Sequence, residues 1–108
     1  MMHLTAVVAL FADPPNALTE PELVAWVERG WIRPEPAETG PVFHDIDIAR
    51  VRLIRDLRTA MRIEDETIPM ILSLLDQVYD LRAGLHAVLR AIESQPEPVR
   101  QAILTSIE

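Results

Sequence analysis

Seven apolar residues, Ile71, Leu74, Val78, Leu81, Leu85, Val88 and Ile92, recur at alternating spacings of three and four. A helix carrying that heptad repeat turns all seven to one side as a coiled-coil seam. Leu75 and Leu89 widen it. The pattern predicts one long helix over about Glu66–Glu93, the longest element of the chain. The headpiece that precedes it is too small to cover such a seam, so the repeat predicts a homodimer with those seven residues at the interface. The intramolecular alternative is that Pro96–Ile107 folds back as a short helix over Val88 and Ile92. The two arrangements are compatible.

The whole chain has 108 residues, 49% of them hydrophobic, and a net charge of -7. This composition is far from that of disordered chains and suits one domain-sized soluble fold. The absence of cysteine excludes a disulfide framework, a Cys-ligated metal and a thiol nucleophile. Met1–Phe11 has no basic residue before its apolar run and no small-residue cleavage site after it. No segment reaches the ~18 consecutive apolar residues of a membrane span, so the expected location is the cytoplasm.

Upstream of the seam the chain reads as short helices with a small hairpin. Residues 4–12 form a helix or a buried strand, being too apolar for a period to decide. Thr19-Glu20-Pro21-Glu22 is a capping-box start, with Thr19 as N-cap and Pro21 in the first turn. The helix it opens runs to about Arg29, with Gly30 placed to end it. Trp31–Arg33 and Val42–Phe43 read as two tiny strands joined by a proline-rich connection, the wing of a winged helix-turn-helix. Asp45 is the expected N-cap of a third helix, whose stripe is Ile46, Ala49, Leu53, Ile54, Leu57 and Met61. The predicted fold is therefore mainly α: a winged headpiece over residues 1–62, then a long dimerisation helix and a short C-terminal helix over 63–108.

No arrangement of residues points to catalysis. The three glycines, Gly30, Gly40 and Gly84, make no phosphate-binding loop, and His3, His44 and His86 lie in separate elements without metal-ligand spacing. Glu64, Asp65 and Glu66 are what the positive end of a helix favours. A protein without enzymatic activity, cofactor or metal is the expectation.

Charge is unevenly distributed. Residues 1–49 carry two arginines against eight carboxylates, and residues 63–108 carry three against eight. Residues 50–62 carry five arginines against Asp56 alone. The parts of a winged fold that should enter a DNA groove are thus acidic, whereas DNA affinity comes largely from basic contacts to phosphate. Arg50, Arg52, Arg55 and Arg58 are the candidates for contacting DNA, if DNA is bound. Otherwise Arg55, Arg58 and Arg62, spaced three and four apart, form a solvated helix face paired with neighbouring acids. On the long helix Asp76 and Asp80 fall at outer heptad positions, as a like-charged pair one turn apart that could dock a basic partner or be ordinary solvated surface.

The order of these parts resembles a known family. Glu28-Arg29-Gly30-Trp31-Ile32-Arg33-Pro34, Val42-Phe43, Leu53-Ile54-Arg55-Asp56-Leu57, Leu72-Ser73-Leu74-Leu75-Asp76 and Leu81-Arg82 are similar to segments of the chaperone modulator CbpM family, across about residues 17–93. Its members share a MerR-like winged helix-turn-helix headpiece and a C-terminal helix. The resemblance implies a modulator of a DnaJ/CbpA-type co-chaperone that binds its J-domain and competes with DnaK. J-domains engage DnaK through a basic helix, so an acidic competitor is electrostatically sensible. Glu64, Asp65, Glu66, Asp76 and Asp80 are the expected partner-facing residues, with Asp76 the one acid inside the matching pattern. A MerR-type transcription regulator is the competing expectation.

Overall fold

A computed structural model describes residues 1–107, as two compact units: residues 1–70, and the chain from Ile71 onward. It is mainly helical, with one two-stranded sheet among the described residues. Strand β1 (Met2–His3) leads directly into α1 (Leu4–Leu10), so the apolar run that could have been helix or strand is a helix. Helix α2 (Glu20–Glu28) opens with the expected capping box. The Glu22 amide donates to Thr19 Oγ1 at 3.3 Å, and the Thr19 amide donates to Glu22 Oε1 at 3.2 Å. Two of the first-turn amides' and cap's donors are satisfied this way. Gly30, at φ +77°, then ends the helix in the left-handed region that glycine tolerates best.

The expected hairpin is corrected. Strand β2 (Val42–Phe43) pairs antiparallel with β1, Met2 against Phe43 and His3 against Val42. Trp31–Arg33 is not a strand. Trp31 and Ile32 are both buried, which the alternating faces of a half-exposed edge strand do not allow. The backbone of Trp31 is engaged elsewhere: its amide donates to Trp26 O at 3.0 Å, and its carbonyl accepts from Arg50 Nε. The segment between Trp31–Arg33 and Val42–Phe43 is tied by one bridge, in which the amides of Glu35 and Val42 each donate to the other's carbonyl at 3.0 and 2.8 Å.

Helix α3 (Asp45–Thr59) has His44, not Asp45, as its N-cap, because Asp47 turns back to accept from the His44 amide at 2.9 Å. Asp47 is buried with that bond made, and the inward face is Asp47, Val51, Ile54 and Leu57. This face is rotated from the expected stripe. Ile54 and Leu57 hold, Leu53 is half-buried, and Ile46, Ala49 and Met61 are exposed. α1 packs on α2 and on β2, and α3 contacts β2. The core of residues 1–70 centres on Val7, Leu23, Ile32, Phe43, Val51, Ile54 and Ile68, all essentially inaccessible to solvent. Each such burial is worth about 1.5–3 kcal/mol against leaving the side chain in water.

Helix α4 (Ile68–Glu93) starts two residues later than the acids suggest. Glu64, Asp65 and Glu66 lie in the turn before it, closed by the Thr67 amide donating to Glu64 O at 3.0 Å, and no acid falls in its first turn. After Ser94–Pro96, α5 (Glu97–Ile107) completes the described chain. It has no buried residue, and it leaves Val88 exposed, so it does not mask the seam as the fold-back alternative required.

Candidate interaction surfaces

The arginines of α3 are the first surprise. Arg58 Nε donates to Asp65 Oδ1 at 2.7 Å, and its Nη1 donates to Glu22 Oε2 at 3.1 Å. Its guanidinium also stacks on Trp26, 5.6 Å from the ring centroid. Asp65 reaches a second cation, with Arg29 Nη1 3.5 Å from Oδ2, and Arg29 lies 5.0 Å over the Trp31 ring. Trp26 and Trp31 are 6.4 Å apart in a tilted pair. Two arginines, two carboxylates and two tryptophans thus join the start and end of α2 to the end of α3 and the turn before α4. Partial burial works against the Arg58 charge, but the hydrogen bonds from Asp65 and Glu22 outweigh it and hold its pKa above the ordinary arginine value.

The other three candidates for DNA contact are also engaged. Arg50 donates to the Trp31 carbonyl, while Arg52 and Arg55 stand 5.6 and 5.5 Å over the buried ring of Phe11. A guanidinium over an aromatic face contributes about 0.5–2 kcal/mol, more as water is excluded. Sequence reasoning saw a basic helix and could not see aromatic partners drawn from α1 and α2. The signal that was available is the spacing of Arg55, Arg58 and Arg62, which permits one helix face to serve one surface.

The five expected partner-facing acids are divided between the two units. In the first, Glu64 and Glu66 are exposed, whereas Asp65 is committed to Arg58 and Arg29. In the second, Asp80 is exposed and Asp76 is half-buried. Glu35, not singled out by sequence, pairs with His44, with Oε2 and Nε2 2.5 Å apart.

The largest unpartnered feature is the seam itself. Leu74, Val78, Leu81, Leu85 and Val88 are all exposed, Leu81 by 73% and Leu85 by 57%, with Ile71 and Ile92 half-buried at the ends. Leu75 and Leu89 are also exposed beside it. Contiguous apolar surface of this kind is uncommon on a monomeric protein and makes the seam a candidate contact face.

Two depressions open on the first unit. One, of about 360 Å³, is walled mainly by Val27, Ile32 and the prolines of the 34–41 loop. The other, of about 230 Å³, lies beside the Arg58 cluster, between Leu18, Trp26, Arg55 and Thr59. Among the described residues no group of three or more histidine or carboxylate side chains is placed to hold a metal ion, and no helix is long and apolar enough to cross a membrane. In comparisons with known proteins, no family model, no curated protein and no solved structure matches this chain.

Proposed function

We propose that this chain is a non-enzymatic protein-binding regulator that acts as a homodimer, and that its partner is the J-domain of a DnaJ/CbpA-type co-chaperone, for which it competes with DnaK. One observation carries the choice of a protein partner over DNA: Arg58 is held by Glu22 and Asp65 and Arg50 by the Trp31 carbonyl, while Arg52 and Arg55 lie over the Phe11 ring, which leaves Arg62 the one arginine of the basic segment with none of these contacts. Phosphate binding would compete with the hydrogen bonds of Arg50 and Arg58, while Glu64, Glu66 and Asp80 remain outward-facing and repel a duplex. The identity of the partner rests on the resemblance to chaperone modulators, and the dimer rests on the exposed heptad seam. A finer reading of residues 1–62 as a MerR-like winged headpiece belongs to the same proposal.

The test is a pull-down with the J-domain of the co-chaperone beside a gel shift on genomic DNA over a salt series. Capture of the J-domain, lost on adding excess DnaK, supports the reading. Salt-resistant, sequence-dependent DNA binding without J-domain capture overturns it in favour of a transcription regulator. Asp80→Arg and, separately, Glu64→Arg with Glu66→Arg assign the docking face. The variant on that face should weaken capture at least tenfold, with the dimer intact by sedimentation.

A further inference from the structure

We infer that the smaller depression of the first unit, of about 230 Å³, is a binding site for a small aromatic monocarboxylate, with Arg55 as the group that receives the carboxylate. The inference stands apart from the homodimer and the partner proposed above and depends on neither.

The charge balance around the depression singles out Arg55. Arg58 also lines it, but that guanidinium is committed, Nε donating to Asp65 and Nη1 to Glu22. Arg29 is the second cation on Asp65. Two arginines and two carboxylates therefore close a neutral chain on this side of the unit. Arg55 stands outside it. The partner of its guanidinium among the described residues is the ring of Phe11, 5.5 Å away, and Arg52 shares that ring at 5.6 Å. Stacking of this kind occupies a face of the guanidinium. It leaves the planar fork of N–H donors, the part of an arginine that matches a carboxylate, without a hydrogen bond to any described residue. Arg55 is half-buried, so its fork has lost part of its water and gains more from an anion than an open surface arginine does.

The same balance sets the charge of the ligand. Glu22 lines the depression too, with Oε1 on Thr19 and Oε2 on Arg58. One unengaged guanidinium with a carboxylate in the opposite wall favours a single negative charge over the double charge of a phosphate.

The walls set the body of the ligand. Leu18 and Trp26, both almost wholly buried, give the depression an apolar side, and Asn16 and Thr59 give it polar edges. The Thr59 hydroxyl donates to the Arg55 carbonyl at 2.7 Å, which fixes its direction and leaves its oxygen able to accept. Apolar walls with a few convergent polar groups are the usual form of a small-molecule site. A cavity of about 150 Å³ admits benzene, and sites for drug-sized ligands begin near ~300 Å³. At about 230 Å³ this depression suits one ring bearing a carboxylate. Its walls come from the loop before α2, from α2 and from α3, so a ligand seated there ties three segments of the first unit together.

The probe is benzoate, with benzamide as its uncharged counterpart and inorganic phosphate as the more highly charged one. Each is titrated into the full chain and followed by NMR at the Trp26 indole N–H and the Arg55 Nε–H. Saturable binding of benzoate that shifts both resonances, with benzamide and phosphate at least tenfold weaker, agrees with the inference. A benzamide affinity equal to that of benzoate overturns it, as does phosphate binding as tightly, or no saturation by benzoate up to about 10 mM. Arg55→Gln should weaken benzoate at least tenfold. Arg52→Gln removes a cation from the same ring but not from the depression, and should change the affinity less than threefold. Equal losses in the two variants would reduce the effect to general positive charge and overturn the site. Should Arg55→Gln fail to fold, the comparison of benzoate with benzamide on the unaltered chain still decides.

Discussion

The two compact units treat apolar residues in opposite ways. Every buried hydrophobic residue of the described chain except Leu72 lies in residues 1–70, around Phe43, Leu23, Ile32 and Ile54. From Ile71 onward the large apolar side chains of both helices are mostly exposed, with none of α5 buried. The first unit closes a core from short helices because segments distant in sequence return to it: Met2–His3 pairs with Val42–Phe43, and Arg58 with Glu22. The second has long regular helices and almost nothing folded back on them. Regular secondary structure alone does not bury surface, and a helix with an uncovered seam would gain stability from whatever covers it.

The contrast can be broken from either side. Phe43→Ala should be the most damaging change, lowering the stability of the first unit by about 3–5 kcal/mol through the cavity it leaves. The check is chemical denaturation followed by tryptophan fluorescence, since Trp26 and Trp31 both report on that core. Leu81→Glu with Leu85→Glu should leave that fluorescence transition in place and raise the dissociation constant of the proposed dimer at least a hundredfold, measured by sedimentation. Equal dimer affinity in that variant would remove the seam from the interface. Arg58→Ala should cost about 2 kcal/mol, since it strips a charged partner from Glu22 and Asp65 and a guanidinium from Trp26. Wherever its carboxylate partners are ionised, the contribution of the Arg58 charge is present at neutral pH and above, and is lost only as pH rises through its raised pKa. Its share of stability is therefore expected to be flat from neutral pH up to the strongly alkaline range. Thr19→Ala, the smallest of the four, should cost about 1 kcal/mol by opening the α2 cap.

What the sequence disclosed follows how local each interaction is. The capping box at Thr19 and Glu22, the helix end at Gly30 and the span of α4 depend on residues within a turn or a fixed repeat, and all were legible. The strand partner of Val42–Phe43 was not, because it lies at the other end of the first unit and a two-residue strand has no pattern of its own. The inward face of α3 was not legible because a carboxylate, Asp47, lies on it, buried with its bond to the His44 amide made. The role of the arginines was hidden for a different reason. A tally of charge along the chain counts carboxylates but not aromatic faces, and Phe11 and Trp26 are half of what holds these side chains. Of the candidate surface, the spacing of the seam was legible; Leu74, Val78, Leu81, Leu85 and Val88 are exposed, while Ile71 and Ile92 are half-buried. The acids were legible only as a group, with Asp65 distinguishable from Glu64 and Glu66 by three-dimensional contact alone.

Glu22 divides its two oxygens between different tasks, Oε1 closing the start of α2 with Thr19 and Oε2 holding Arg58 at the far end of α3. Fraying the first turn of α2 therefore loosens Arg58, and loss of Arg58 loosens that turn. Helix ends normally open independently, with amides that exchange far faster than those of the core. Here the Glu22 amide should exchange together with amides near the end of α3, as one cooperative unit whose opening exposes Trp26. A thermal fluctuation at a single helix cap then becomes an opening shared across the first unit.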